Sequence, residues 1–182
     1  MDRLTEKSRY MSYLLRHKPE DGNITLDVQG YTDVLSLLKA LDITPKELDE
    51  IVDTDSKGRY SYNEDHTRIR ANQGHSVDYV HIDFKEYEGN DILYHGTSSK
   101  YRKSILRNGL IPKSRLYVHL SKDVDTATDV GNRHVGDGDY LIIYTINVPL
   151  MRKDGYKFYE SDNGVILVEK VSPKYLNYYE LH

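Results

Sequence analysis

The sequence predicts an α+β fold in two halves, with helices and one hairpin first and strands second. Three observations carry that expectation. Apolar residues recur at helical spacing as far as Val52, and strand-like alternation takes over afterwards. The polar stretch Lys85 to Asp91 (KEYEGND), with Gly89 inside it, reads as a linker and sets the boundaries at 1–88 and 89–182. With 182 residues, 38% of them hydrophobic, the chain can bury cores for two small lobes and is not a disordered polymer.

The first helix runs from Arg3 to His17 on Leu4, Met11, Leu14 and Leu15, and Pro19 stops it by excluding helical backbone before itself. Gly30 is expected to open a second helix over Val34, Leu35, Leu37, Leu38 and Leu41. The third start is the best specified. Thr44 caps, Pro45 takes the first helical position, Glu47 completes a capping box, and Ile43 and Leu48 sit at staple positions. Arg59-Tyr60-Ser61-Tyr62 and Thr67-Arg68-Ile69-Arg70 then flank the polar turn Asn63 to His66 as a hairpin. Three short helices and a hairpin outline a winged helix-turn-helix. In the second half, strands are expected at 92–94, 116–120, 140–148 and 165–171. A helix from Ser99 to Asn108 ends at Gly109, a shorter one covers Asp123 to Val130, and Ser161-Asp162-Asn163-Gly164 is a hairpin turn.

Composition narrows the function classes. Cys is absent, which removes disulfide scaffolds, thiolate metal sites and a cysteine nucleophile. No apolar run approaches the ~20 residues of a membrane span and the opening MDRLTEKSRY lacks a secretory pattern, so a cytoplasmic protein without membrane contact is expected. Net charge is −4, against a general nucleic-acid binder. Residues 1–89 hold 12 basic and 18 acidic side chains, so any polyanion is gripped there by a local cluster. Tyr outnumbers Phe 17 to 2, which suits half-wet surfaces, although Tyr standing in for Phe explains the excess as well.

No dinucleotide fingerprint, P-loop, zinc-protease helix or nucleophile elbow is present, and the His residues lack metal-ligand spacing. Four runs remain. Leu14-Leu15-Arg16-His17-Lys18-Pro19 gathers cations at a helix end, where complementing the helix dipole is reason enough for them. Arg68-Ile69-Arg70-Ala71-Asn72-Gln73-Gly74-His75-Ser76 puts Arg68 and Arg70 on one strand face and then turns through donors suited to an oxyanion; a solvated hairpin edge is the equal alternative. Leu93-Tyr94-His95-Gly96-Thr97-Ser98 ends a strand in donors, and N-capping accounts for only part of it. Val118-His119-Leu120-Ser121, followed by Asp129-Val130-Gly131-Asn132-Arg133, sets His119 and Ser121 on one strand face.

In this order the runs resemble the RNA 2′-phosphotransferase (tRNA 2′-phosphotransferase) family over roughly residues 10–170, most specifically through Arg-Ala-Asn-Gln-Gly-His-Ser and then Leu-Leu-Arg-His. The resemblance implies a winged-helix RNA lobe followed by an ADP-ribosyltransferase-like lobe. It implies transfer of an internal RNA 2′-phosphate to NAD through an ADP-ribosylated phosphate, releasing nicotinamide, ADP-ribose 1″,2″-cyclic phosphate and RNA with a free 2′-hydroxyl. By motif position the catalytic set is Arg16, His17, Arg70 and Arg133, with Arg68 a weaker claimant than Arg70. His95, Gly96, Thr97, His119 and Ser121 are the implied NAD contacts. No metal is implied, and a monomer is expected.

The chemistry agrees with that set. A phosphate monoester is largely a dianion at neutral pH and needs no base to become a nucleophile. Holding it beside a pyrophosphate requires planar, bidentate guanidinium donors. Proton transfer is needed only when a ribose hydroxyl displaces the RNA oxygen, and an imidazole titrates in the right range. Two rivals are an ADP-ribosyltransferase acting on nucleic-acid terminal phosphates or protein, and a winged-helix regulator. The acidic stretch Thr44 to Asp55 (Glu47, Asp49, Glu50, Asp53) counts against the second.

Overall fold

A computed structural model describes residues 3–181 and divides the chain into two compact units, Met1–Asp83 and Phe84–His182. Helices and antiparallel strands are mixed in the α+β manner.

In the first unit, α1 (Arg3–Arg16) buries Met11, Leu14 and Leu15. The amides of His17 and Lys18 both bond to the Tyr13 carbonyl (2.9 and 3.2 Å), and a 3-10 turn over Pro19–Gly22 follows. Gly30 does not open the next helix. At φ +78° it feeds a short strand, β1 (Tyr31–Asp33), and Asp33 caps α2 (Val34–Leu41) by accepting from the Ser36 amide at 2.7 Å. Three residues of mixed polarity carry no period, so β1 is created by its partner strand and was invisible beforehand. The capping box of α3 (Pro45–Asp53) forms as expected, and its bonds to Thr44, together with Arg3, hold the Glu47 carboxyl down to about 2. β2 (Tyr60–Tyr62) and β3 (Arg68–Ala71) make the expected hairpin, and β1 adds to the other side of β3. Strand alternation then buries Ile69 and Ala71 against the leucines of α1 and α2 and turns Arg68 and Arg70 the other way.

The second unit starts earlier than the polar composition suggested. Lys85–Glu86 is a strand, β4, paired with β8 (Tyr159–Glu160), and Arg152 donates to the carbonyls of Tyr87 and Gly89. Main-chain pairing is indifferent to side-chain polarity, so KEYEGND belongs to this unit and is not a linker. β5 (Leu93–Ser98) likewise runs on through His-Gly-Thr-Ser where a strand ending was expected. A 3-10 turn, Ser99–Tyr101, and α4 (Arg102–Asn108) share the span expected as one helix. β6 (Val118–Leu120) and α5 (Val124–Asn132, capped by Asp123) follow. β7 (Leu141–Ile146) stops early because Asn147 caps α6 (Val148–Lys153), a helix not foreseen. β9 (Ile166–Val168) and β10 (Leu176–Leu181) complete the chain. The sheets are ordered β10-β7-β5 and β4-β8-β9-β6, over a core that includes Leu93, Ile142, Tyr144, Phe158 and Val168. No helix among the described residues is long and apolar enough to cross a membrane.

Candidate functional site

The polar groups singled out by sequence fall into one cluster in each unit. In the first, the loop after β3 folds over the end of α1. The Ser76 amide donates to the Arg16 carbonyl at 2.8 Å, and His17 Nδ1 meets Ser76 Oγ at 2.9 Å. Gly74, at φ +92°, lets the loop turn there, and a Cβ on it would lie 3.5 to 3.7 Å from Nε, Cδ and Cζ of Arg16. Arg16 also donates through Nη1 to Ser12 Oγ at 3.0 Å, one helical turn back. The Gly-His-Ser end of the run is therefore a clasp on the end of α1: Ser76 holds the Arg16 main chain and the His17 ring, and Gly74 packs beside the Arg16 side chain.

Arg68 and Arg70 share a strand face and the Tyr31 ring, 5.8 and 4.8 Å from its centroid, but not their other partners. Arg68 pairs with Asp27 at 2.8 Å and donates to the Tyr31 carbonyl. Arg70 lies with its guanidinium 4.8 Å from the Tyr31 ring centroid and donates to the Gln29 carbonyl at 3.4 Å. The strand β1, missed in sequence, thus supplies the support for Arg70.

His75 was passed over. It is 3% exposed, and its Nε2, with no hydrogen-bond partner, lies 3.0 Å from where a Cβ on Gly30 would stand. Burial, then the charges of Arg16, His17 and Arg70, push its imidazole down to about 4. A neutral ring therefore sits beside Arg16, His17 and Arg70. Its place inside the Gly-His-Ser run was the signal available in sequence; its burial was not.

In the second unit β5 and β6 carry the cluster. The isolated bridge Tyr94–Ser121 ties them, with reciprocal main-chain bonds of 2.9 and 2.8 Å. His95 Nδ1 lies 3.0 Å from the His119 carbonyl; a carbonyl only accepts, so Nδ1 carries the proton. Burial is the main reason the His95 imidazole is pushed down, which keeps it neutral. His119 Nδ1 lies 3.1 Å from Arg115 Nη1, and a guanidinium only donates, so His119 is the opposite tautomer with its proton on Nε2. Arg115, four residues before His119, was not picked from sequence.

Alternation on β5 sets His95 and Thr97 on one face and Gly96 on the other. Gly96 has a packing reason of its own. A Cβ there would stand 1.9 Å from the Ala127 carbonyl oxygen of α5, and one on Gly131 would stand 2.8 Å from the Gly96 carbonyl carbon. The paired glycines let helix and strand backbones touch. Thr97 is buried beside them. Arg133 caps the C-terminal end of α5 and is exposed; the His134 imidazole beside it is pushed down by desolvation first, then by the charges of Arg115, Lys100, Arg133 and Lys113. Arg16, His17 and Arg70 are thus grouped in the first unit, and Arg133 is carried by the second. Among the described residues no cluster of His, Asp and Glu has the makings of a metal site.

Comparison with known proteins agrees with these motifs. Residues 2–170 match the family model described as RNA 2′-phosphotransferase, Tpt1 / KptA family. A probable RNA 2′-phosphotransferase of Fusobacterium nucleatum is 41% identical over 98% of this chain and all of its own length. Proteins of the same description from Flavobacterium johnsoniae (42%, covering 94% of each chain) and Rhizobium leguminosarum (45%, covering 95% of this chain and 93% of the other) are similarly close.

Proposed function

The chain belongs to the RNA 2′-phosphotransferase, Tpt1 / KptA family, and from that premise we propose that it removes an internal 2′-phosphate from RNA and passes it to NAD. The observation that carries this reading is the clasp in which residues 74–76 hold Arg16 and His17 near Arg70, a set of donors suited to a phosphate dianion. The first unit is read as a winged helix that takes the phosphorylated nucleotide. The second is read as an ADP-ribosyltransferase-like unit that takes NAD.

His95, Thr97, His119 and Ser121 are the residues assigned to NAD. Neutral imidazoles of fixed and opposite tautomers, two hydroxyl groups and the nearby Arg115 are uncharged or cationic, and they suit the hydroxyl and phosphate edges of a dinucleotide. Gly96 serves that group through the close approach of α5. When bound, NAD supplies a ribose carbon bearing a nicotinamide leaving group.

The chain's own residues then divide the work. The Arg16 and Arg70 guanidinia offset the charge of the 2′-phosphate and hold its oxygens in a fixed orientation. Arg133 adds positive charge where the phosphoryl oxygens gain negative charge in the second step. The Ser76 hydroxyl lies 3.5 Å from the Arg16 carbonyl; with its proton directed there, it accepts from His17 Nδ1, and Nε2 is the nitrogen assigned to proton exchange with the ribose and RNA oxygens. The route runs through ADP-ribose attached to the RNA phosphate, as the family resemblance implies.

The test is incubation with a short RNA bearing one internal 2′-phosphate, with and without NAD. Loss of the 2′-phosphate only when NAD is present, with a cyclic phosphate of ADP-ribose released, is the expected result. Loss without NAD, or ADP-ribose left permanently on the RNA, overturns the reading.

A further inference from the structure

We propose that Tyr10 and Tyr13 form a stacking platform for one nucleobase of single-stranded RNA, next to the 2′-phosphate held at the end of α1. The inference rests on the reading above that Arg16 and His17 grip that phosphate. Tyr13 precedes Arg16 by three residues and His17 by four, the two spacings that set helical side chains about 5–6 Å apart on one surface. Tyr10 precedes His17 by seven, so Tyr10, Tyr13 and His17 form one row along the helix. A base attached to the phosphorylated nucleotide, or to its neighbour, is within that reach.

Both tyrosines are exposed (37% and 38%), and they stack on each other at 6.1 Å and 19°. Their hydroxyls converge on one residue. Tyr13 donates to Asp21 Oδ2 at 2.5 Å and Tyr10 to the Asp21 carbonyl at 3.3 Å, which anchors the pair to the 3-10 turn. A ring fixed in advance loses little freedom when something stacks on it.

Charge selects the occupant. Asp21 and Glu20 lie at the hydroxyl edge, where the Asp21 hydrogen bond raises the Tyr13 hydroxyl's pKa, and Glu20 already pairs with Lys18 at 3.2 Å. Carboxylates in that place repel a run of backbone phosphates. They do not hinder an uncharged π face, and every base has one. The platform therefore fits one or two unpaired nucleotides, which also explains how an acidic half of the chain engages RNA at all.

The experiment is fluorescence anisotropy of a short single-stranded RNA with one internal 2′-phosphate, titrated with the full chain in the absence of NAD. Tyr13→Ala is expected to weaken binding about tenfold or more, and Tyr13→Phe, which keeps the ring, to stay within about twofold. With wild-type protein, replacing the bases on both sides of the phosphate by abasic sites is expected to cost as much as Tyr13→Ala, and to erase the difference between the two proteins. Tyr13→Phe as weak as Tyr13→Ala, or wild-type binding indifferent to the missing bases, overturns the platform. The abasic arm uses unaltered protein and stands even if a variant folds poorly. Failure of the wild type to prefer phosphorylated over unphosphorylated RNA overturns the proposed function instead, and the same titration reads it.

Discussion

In the first unit the candidate site is assembled from a helix end, a loop and one strand arginine, whereas in the second it lies within and between strands. Main-chain atoms, a hydroxyl and a tyrosine ring fix the first unit's groups: Ser76 to Arg16 and His17, Gln29 and Tyr31 to Arg70. The strands fix neutral imidazoles through a carbonyl and a guanidinium: His119 to His95, Arg115 to His119. The difference teaches what each arrangement serves. On one strand face Arg70 rests on the Tyr31 ring and a main-chain carbonyl, whereas Arg68 is ion-paired with Asp27. An imidazole locked in a sheet offers a defined donor or acceptor with no charge.

The largest effect expected from breaking this comparison is at His17. If the clasp presents an acid–base group, His17→Ala slows the second step by roughly 100- to 10,000-fold and the first step far less. RNA carrying ADP-ribose on its 2′-phosphate then accumulates as a slower gel band over a time course. Equal slowing with no such band makes His17 a phosphate ligand alone.

Next comes the contrast between the two strand arginines. Arg70→Lys should lose nearly as much kcat/KM as Arg70→Ala, about 2–4 kcal/mol, because an ammonium lacks the planar fork. Arg68→Ala, which removes a half-exposed ion pair, should cost stability about 0–1 kcal/mol and change turnover little. Steady-state kinetics on all three variants decide it, and a Lys rescue at position 70 reduces that arginine to a diffuse charge.

His75 sharpens the comparison through pH. Its folded ring titrates near 4 against an ordinary 6.5, so between those values the unfolded chain binds the extra proton. Stability contributed by the neutral ring is complete above about 6.5 and declines as pH falls toward 4, by on the order of 3 kcal/mol in all. Urea midpoints measured between pH 7 and pH 4.5 should fall more steeply for wild type than for His75→Phe. Parallel slopes refute the assignment.

The smallest effect is in the second unit. Gly96→Ala forces a methyl group against the Ala127 carbonyl and should cost about 1–3 kcal/mol of stability, read as a lower melting temperature. Saturating NAD should not restore it. An alanine variant as stable as wild type but weak in NAD binding returns Gly96 to direct contact.

Much of this was legible in the chain itself, for physical reasons that differ by residue. Thr44, Pro45 and Glu47 specify a helix start because their partners are three residues away, and Asn63 to His66 specify a hairpin because the turn is local. Arg16, His17, Arg70 and the Gly-His-Ser run could be picked out because their side-chain chemistry is carried by order along the chain. Pairing over long separations could not. Tyr31–Asp33 is a strand only because β3 lies beside it, Lys85–Glu86 only because of β8, and β10, with alternating polarity at its edge, only because of β7. The same holds for the site. That Arg68 is bound to Asp27 while Arg70 rests on Tyr31, that His75 is buried and neutral, and that Gly96 makes room for α5 all depend on neighbours supplied by distant segments. Sequence order determined which groups are present; the tertiary structure decided what each of them touches and, at His75, whether the ring carries charge, because burial and the nearest partner set both.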